Sequence, residues 1–202
     1  MKFAAALANG AWLASNLPAW QRFRRALRHP AETQNQILRR LLSTNAASAY
    51  GQAHGFGEIR HYEQYHARVP LATYDLLDPW IRRIMQGETS VLTQAPVTRL
   101  VPTSGSSGAR KLIPFTADLQ KELNAAIGPW MVDLCCQHPA VALGPAYWSI
   151  SPAGPSDRSE PSTVPIGFDD DSAYLGGLRQ KLVNATFAVP SALRLVRTIW
   201  SR

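Results

Sequence analysis

The stretch from Val101 to Thr116, VPTSGSSGARKLIPFT, constrains this chain more than any other. Leu100 and Val101 are strand-like, and so are Leu112, Ile113 and Phe115. Between them lie small polar residues, two glycines and two cations. The pattern predicts a small-residue loop held between two strands. Gly105 and Gly108 open backbone angles closed to residues with a Cβ, so successive N–H groups of the loop can turn into one anion nest. Thr103, Ser104, Ser106 and Ser107 add hydroxyl donors, and Arg110 and Lys111 add positive charge at the exit. The guest that suits such a loop is a polyphosphate. A Walker loop needs Gly-x-x-x-x-Gly-Lys-Ser/Thr opening a helix, whereas here two residues separate the glycines and a strand-like LIPF comes next. A bare GSSG reads as a flexible linker. The flanks argue against that, because a linker needs neither apolar strands closing on both sides nor adjacent cations at its exit.

Upstream of the loop the periodicity is helical. Phe3, Leu7, Ala11 and Ala14 recur at helical intervals, and Pro18 is expected to open a second helix carrying Trp20, Phe23 and Leu27. Pro30 opens a third through Ile37, Leu38, Leu41 and Leu42, ended by Asn45-Ala46 and Gly51. Gly51, Gly55 and Gly57 punctuate a loop. Thr73, Tyr74 and Asp75 begin a short helical turn. Asp78-Pro79 reads as the N-cap and first residue of a separate helix, with Trp80, Ile81, Ile84 and Met85 as its apolar stripe and Gly87 as its C-cap. Val91–Thr93 and Val97–Val101 are strand candidates, the second feeding the loop.

Downstream, Thr116 is expected to cap a long helix with Leu119, Leu123, Ile127, Trp130, Met131 and Leu134 on one side. A helix placed after a strand implies an α/β layer in which the chain crosses back to the sheet, through a strand at Ala146–Ile150. Pro152–Pro161 reads as a surface loop, with a lid beside the ligand as the alternative. Asp169, Asp170 and Asp171 read as helix-capping charges ahead of Ser172–Val183 rather than as a magnesium site. Pro190 begins a last helix bearing Leu193, Val196, Ile199 and Trp200. The fold class expected is mixed α/β: a helical region over residues 1–60, then residues 61–202, the two forming one structural unit.

Charge narrows the partners. The formal net charge of +7 is concentrated in residues 1–60, which carry eight basic and two acidic side chains. Such a third could contact nucleic acid or an anionic membrane, but Arg22, Arg24, Arg25, Arg28, Arg39 and Arg40 fall at spacings suited to the solvated faces of amphipathic helices. Neither nucleic acid nor membrane is the expected partner. The apolar run after Lys2 is broken at Asn9-Gly10 and succeeded by arginines, so it reads as an amphipathic helix rather than a leader or span. Cys135 and Cys136 are adjacent, which disfavours a disulfide between them and points to two buried free thiols in a reducing cytoplasm. His54, His61 and His66 match no metal-ligand spacing and read as surface histidines; no metal ligand is assigned.

With these residues in view, TSGSSGARKLIP resembles the phosphate-binding loop of the adenylate-forming enzymes. Val69-Pro70, Tyr74, Pro79-Trp80-Ile81, Arg83 and Gly87-Glu88-Thr89-Ser90 precede it in the order and spacing of one family within them, the auxin-responsive-promoter (Gretchen Hagen) acyl-acid amido synthetases. Pro165-Ile166-Gly167-Phe168, Asp169-Asp170-Asp171 and Tyr174-Leu175-Gly176-Gly177 are similar to the segment downstream of the loop in bacterial-type members. The resemblance implies that residues 61–202 are part of the large adenylate-forming domain, incomplete at its C-terminal side. It implies an ATP-dependent ligase with Mg2+, a carboxylic-acid substrate and an amine acceptor such as an amino acid. Thr103, Ser104, Gly105, Ser106, Ser107, Gly108 and Arg110 would hold the ATP phosphates, and Lys111 would act as the catalytic cation. The adenine pocket, the ribose-binding carboxylate and a small C-terminal domain would lie beyond residue 202. Two other readings stand beside it: a truncated, catalytically inactive product, and a basic module that binds nucleic acid through the first sixty residues, with affinity falling steeply as salt rises.

Overall fold

The computed structural model describes residues 2–103, 111–145 and 161–167. The chain falls into two compact units, one containing residues 1–24 and 122–152 and the other residues 25–121 and 153–167. The fold is mixed and helix-rich, with a small antiparallel sheet as its β component among the described residues. Expectations placed on 146–150, on all but the last residue of 152–161 and on 168–202 lie outside the described residues.

In the first unit the principal elements are α1 (Lys2–Ala26) up to Arg24 and α6 (Ala117–Gln137) from Glu122. The expected break at Pro18 does not occur: α1 runs through it. Proline there forfeits the bond to the Ala14 carbonyl, and both residues are exposed, where solvent can take the freed group. The Asn16 amide donates to the Trp12 carbonyl at 2.7 Å, a contact of a continuing helix. Asn16 is 1 % exposed and meets α6 where that helix has no side chain, at Gly128. Trp20 Nε1 donates to Asp133 at 3.4 Å, and Asn9 donates to the carbonyls of Ala142 and Gly144 at 3.0 and 2.9 Å.

In the second unit α2 (Pro30–Asn45) opens on proline with Glu32 in its first turn, where a carboxylate favours the positive end of the helix dipole. A short helix, α3 (Ala49–Ala53), comes next at the point read as loop; its cap Ser48 is fully buried and accepts the Gly51 N–H at 3.0 Å. Val91–Thr93 is not a strand. The carbonyls of Ser90 and Val91 take the Ala49 and Tyr50 N–H groups at 2.8 and 2.9 Å, completing the start of α3. Tyr62–Arg68 forms α4, and α5 spans Tyr74–Met85.

The two helical signals expected near residues 73 and 78 merge into α5, with Pro79 inside it. Asp78 is therefore no cap; it pairs with Arg82 one turn on, at 2.6 Å. The C-terminus behaves as the sequence implied. Gly87 lies at φ +90°, its N–H reaches the Ile84 carbonyl and the Glu88 N–H reaches that of Arg83, the paired closure that a left-handed residue permits. Ile81, Ile84 and Met85 turn one side of α5 onto Val91 and Leu100 to form the core of this unit.

Two strands meet that core: β1 (Val97–Pro102) and β2 (Leu112–Thr116), antiparallel, with Leu100 opposite Pro114 and Pro102 opposite Leu112. Leu100, fully buried, turns its backbone the other way, donating to Pro165 O at 2.8 Å and accepting from Gly167 N at 2.7 Å in a parallel bridge to Ile166. Its partner Pro114 therefore sits where a missing N–H faces away from β1 and costs no ladder bond. The return strand expected at 146–150 lies outside the described residues; the described parallel contact with β1 is made by Ile166. Thr116 caps α6 as expected, its hydroxyl accepting the Leu119 N–H at 3.1 Å.

Candidate functional site

The hairpin continues past its last assigned pair. Thr103 N donates to the Lys111 carbonyl at 2.9 Å, in step with the register of the pairs below. The two strands thus stay in register up to the ends of the small-residue loop, and Thr103 and Lys111 face one another across its mouth, both exposed. Ser104, Gly105, Ser106, Ser107, Gly108 and Arg110 lie outside the described residues. Of the eight residues singled out in the sequence, the described structure therefore brings two together, at the mouth.

One residue at this mouth carries no chemical role that the sequence alone assigns. Tyr74, the first residue of α5, accepts the Leu112 N–H on its phenolic oxygen at 2.8 Å. Its ring centre lies 5.9 Å from Lys111 Nζ, within cation–π reach. In the ladder Leu112 pairs with Pro102 two residues from the Leu100–Pro114 pair, so its N–H points away from β1. Tyr74 and Pro114 together leave the outer edge of β2 without a free donor at these two positions. Nothing in the sequence flags this role, because a tyrosine heading an apolar helical stripe is equally a packing residue.

The supports of the hairpin are stiff. Arg83 pairs with Glu88 across the closing turn of α5 and lies over the Trp80 ring at 5.0 Å. That pairing holds the Glu88 carboxyl below the usual carboxylate range, the hydrogen bond from Arg83 being the main cause. Beyond the turn, Thr163 bonds the Met85 carbonyl through both its N–H and its hydroxyl, at 2.8 and 3.0 Å. Arg99 reaches Gly167 O at 2.9 Å. The segment Thr163–Gly167 is thereby tied to α5 at one end and to β1 at the other.

The histidines are engaged elsewhere: His54 packs on Tyr50 at 4.2 Å between ring centres, and His61 bonds Glu63 at 2.8 Å. Among the described residues no three His, Cys, Asp or Glu side chains converge on a point. A cavity of about 600 Å³ opens between α2 and the turn after α3, lined by Arg39, Arg40, Ser43, Phe56, Ile59 and Arg60 among others. Arg39 there donates to the Arg60 carbonyl at 2.9 Å and so closes part of its own wall. Among the described residues no helix is long and apolar enough to cross a membrane.

The fold is similar to part of that of solved acyl acid amido synthetases. GH3.15 matches 56 % of this chain and 21 % of its own at 26 % identity and a TM-score of 0.51. AtGH3.15 in complex with 2,4-DB matches 66 % and 23 %, at 21 % identity and a TM-score of 0.54. The model of the GH3 family N-terminal domain matches residues 19–160, and the chain belongs to that family. Curated relatives include a probable indole-3-acetic acid-amido synthetase GH3.12 of Oryza sativa subsp. japonica, 40 % identical over 103 residues. A jasmonoyl–L-amino acid synthetase GH3.5 of the same plant is 36 % identical over 99 residues. These matches take in 50 % and 48 % of this chain but only 16 % and 17 % of the relatives' lengths.

Proposed function

We propose that this chain is the N-terminal, phosphate-holding part of an ATP-dependent acyl-adenylating ligase. The observation that carries the reading is the Thr103–Lys111 closure, which sets a Gly/Ser loop and a lysine at the end of a braced hairpin. Thr103, Ser104, Gly105, Ser106, Ser107, Gly108 and Arg110 hold the β- and γ-phosphates of ATP by N–H, hydroxyl and guanidinium donors. Lys111 adds positive charge where the leaving pyrophosphate becomes more negative. A carboxylate oxygen attacks the α-phosphorus, the bond to the pyrophosphate oxygen breaks, and an acyl adenylate forms. An amine then attacks the acyl carbon and AMP leaves with the bonding pair, giving an amide. Related family members act on indole-3-acetic acid and jasmonate by name, which supports a small carboxylic acid and an amino-acid acceptor here. Residues 61–202 would then form part of the large adenylate-forming domain.

Magnesium, which the family resemblance implies, would be held with the nucleotide phosphates. Cys135 is half-buried and Cys136 exposed, rather than both buried as expected, and their free thiols support a cytoplasmic location. The reading is tested by calorimetric titration of the chain with inorganic tripolyphosphate. Lys111→Ala is expected to weaken binding about tenfold or more, as loss of a charge-assisted contact implies. Lys121→Ala, which removes an exposed partner of Asp118, leaves it unchanged. Equal affinity of wild type and Lys111→Ala would return the GSSG segment to the status of a linker.

A further inference from the structure

The geometry points to Tyr74 as the positioning residue of this loop: its phenol fixes the hairpin at the loop's exit while its ring holds the Lys111 ammonium. The inference rests on the phosphate-holding reading above. Three observations converge on it. The hydroxyl oxygen accepts the N–H of Leu112, the residue directly after Lys111, at 2.8 Å, and this N–H points away from β1, where no ladder partner serves it. The same ring stands 5.9 Å from Lys111 Nζ. Finally, Tyr74 belongs to α5, whose Ile81, Ile84 and Met85 are core residues beneath β1.

The consequence is mechanical. Lys111 is exposed, and an exposed lysine samples many rotamers, so a phosphate must order it on binding. An aromatic face that attracts the ammonium narrows those choices beforehand, and binding then loses less freedom. The phenol acts on the backbone instead. With Leu112 N–H tied to α5 and Thr103 N–H tied to Lys111 O, the Lys111 peptide is held from both of its sides. A phosphate drawn to the loop therefore meets a lysine whose backbone is fixed and whose head is already partly oriented.

Tyr74→Phe keeps the ring and removes the oxygen, and Tyr74→Leu removes both. Each is titrated with inorganic tripolyphosphate well below its melting temperature, and the amide exchange of Leu112 is tracked by NMR. Tyr74→Phe is expected to speed exchange at Leu112 and weaken tripolyphosphate about fivefold, the scale of one hydrogen bond. Tyr74→Leu is expected to weaken it further, and that extra loss should vanish in a Lys111→Ala background, where no ammonium is left to hold. A purely structural tyrosine would lower the melting temperature with affinity unchanged in both variants. That result overturns the inference while leaving the phosphate reading intact, provided that wild type binds and Lys111→Ala binds more weakly. A wild type that fails to bind tripolyphosphate overturns both. Undiminished losses from Tyr74→Leu in the Lys111→Ala background would also refute the ammonium contact.

Discussion

Replacing Gly87 by alanine tests the brace behind the hairpin, because the residue is constrained twice over. Its φ of +90° lies in the left-handed region, and a residue with a Cβ there costs roughly 1–2 kcal/mol. The new Cβ would also stand 2.9 Å from Thr163 Oγ1. Thr163 Oγ1 can retreat by giving up its hydroxyl bond to the Met85 carbonyl, at 3.0 Å, worth about 1 kcal/mol net. Reduced freedom of the unfolded chain returns about 0.4–1 kcal/mol. The balance is a destabilisation of about 1–2.5 kcal/mol, read as a fall in the urea midpoint at constant slope. A second signature locates it. Since Thr163–Gly167 is the strap that pairs with Leu100, exchange of the Leu100 and Gly167 amides should quicken before the global transition. The double variant Gly87→Ala/Thr163→Gly should recover the crowding component but not the backbone strain. A Gly87→Ala chain as stable as wild type, with both amides still protected, would refute the reasoning.

Two further expectations rest on the same geometry. Gly10→Ala in α1 meets nothing within 4 Å and should stabilise by about 0.5–1 kcal/mol, whereas Gly128→Ala places its Cβ 2.4 Å from buried Asn16 Oδ1 and should destabilise by about 1–3 kcal/mol. Paired thermal melts with opposite signs check this, and two stabilised variants would refute it. Glu88 titrates below the ordinary glutamate range because of Arg83, so its contribution is present above the unfolded-state pKa and is lost as pH falls through the lower folded value. Arg83→Met should move the Glu88 side-chain NMR titration upward, and an unmoved titration would show that the pair does not set it.

What was legible in the sequence was local. Thr116 as a cap, Pro30 as a helix start and Gly87 as a helix stop each depend on a few neighbouring residues and their backbone angles. The two strands read on either side of the small-residue segment held for the same reason: strand propensity is a short-range signal. The same locality misled at Pro18 and Pro79. Proline marks a helix start only where nothing else sustains the preceding turn, and in α1 and α5 the helix runs through it, anchored by buried Trp12 and Asn16 before Pro18 and by buried Ile81, Ile84 and Met85 after Pro79. Val91–Thr93 carries strand propensity, yet the Val91 carbonyl, with that of Ser90, serves α3 instead.

The sequence by itself determined where the small-residue loop lies, which cations come after it and which family it belongs with, because each rests on residue order alone. The tertiary structure decided what holds that loop. Tyr74 finds the Leu112 N–H from 38 residues away, and Thr163 finds the Met85 carbonyl from 78. Leu100 closes its backbone on Pro165 and Gly167. Such contacts leave no local mark. They are chosen by the burial of α5 against the hairpin, which brings remote donors and acceptors together where leaving them unpaired would cost more than closing the intervening chain.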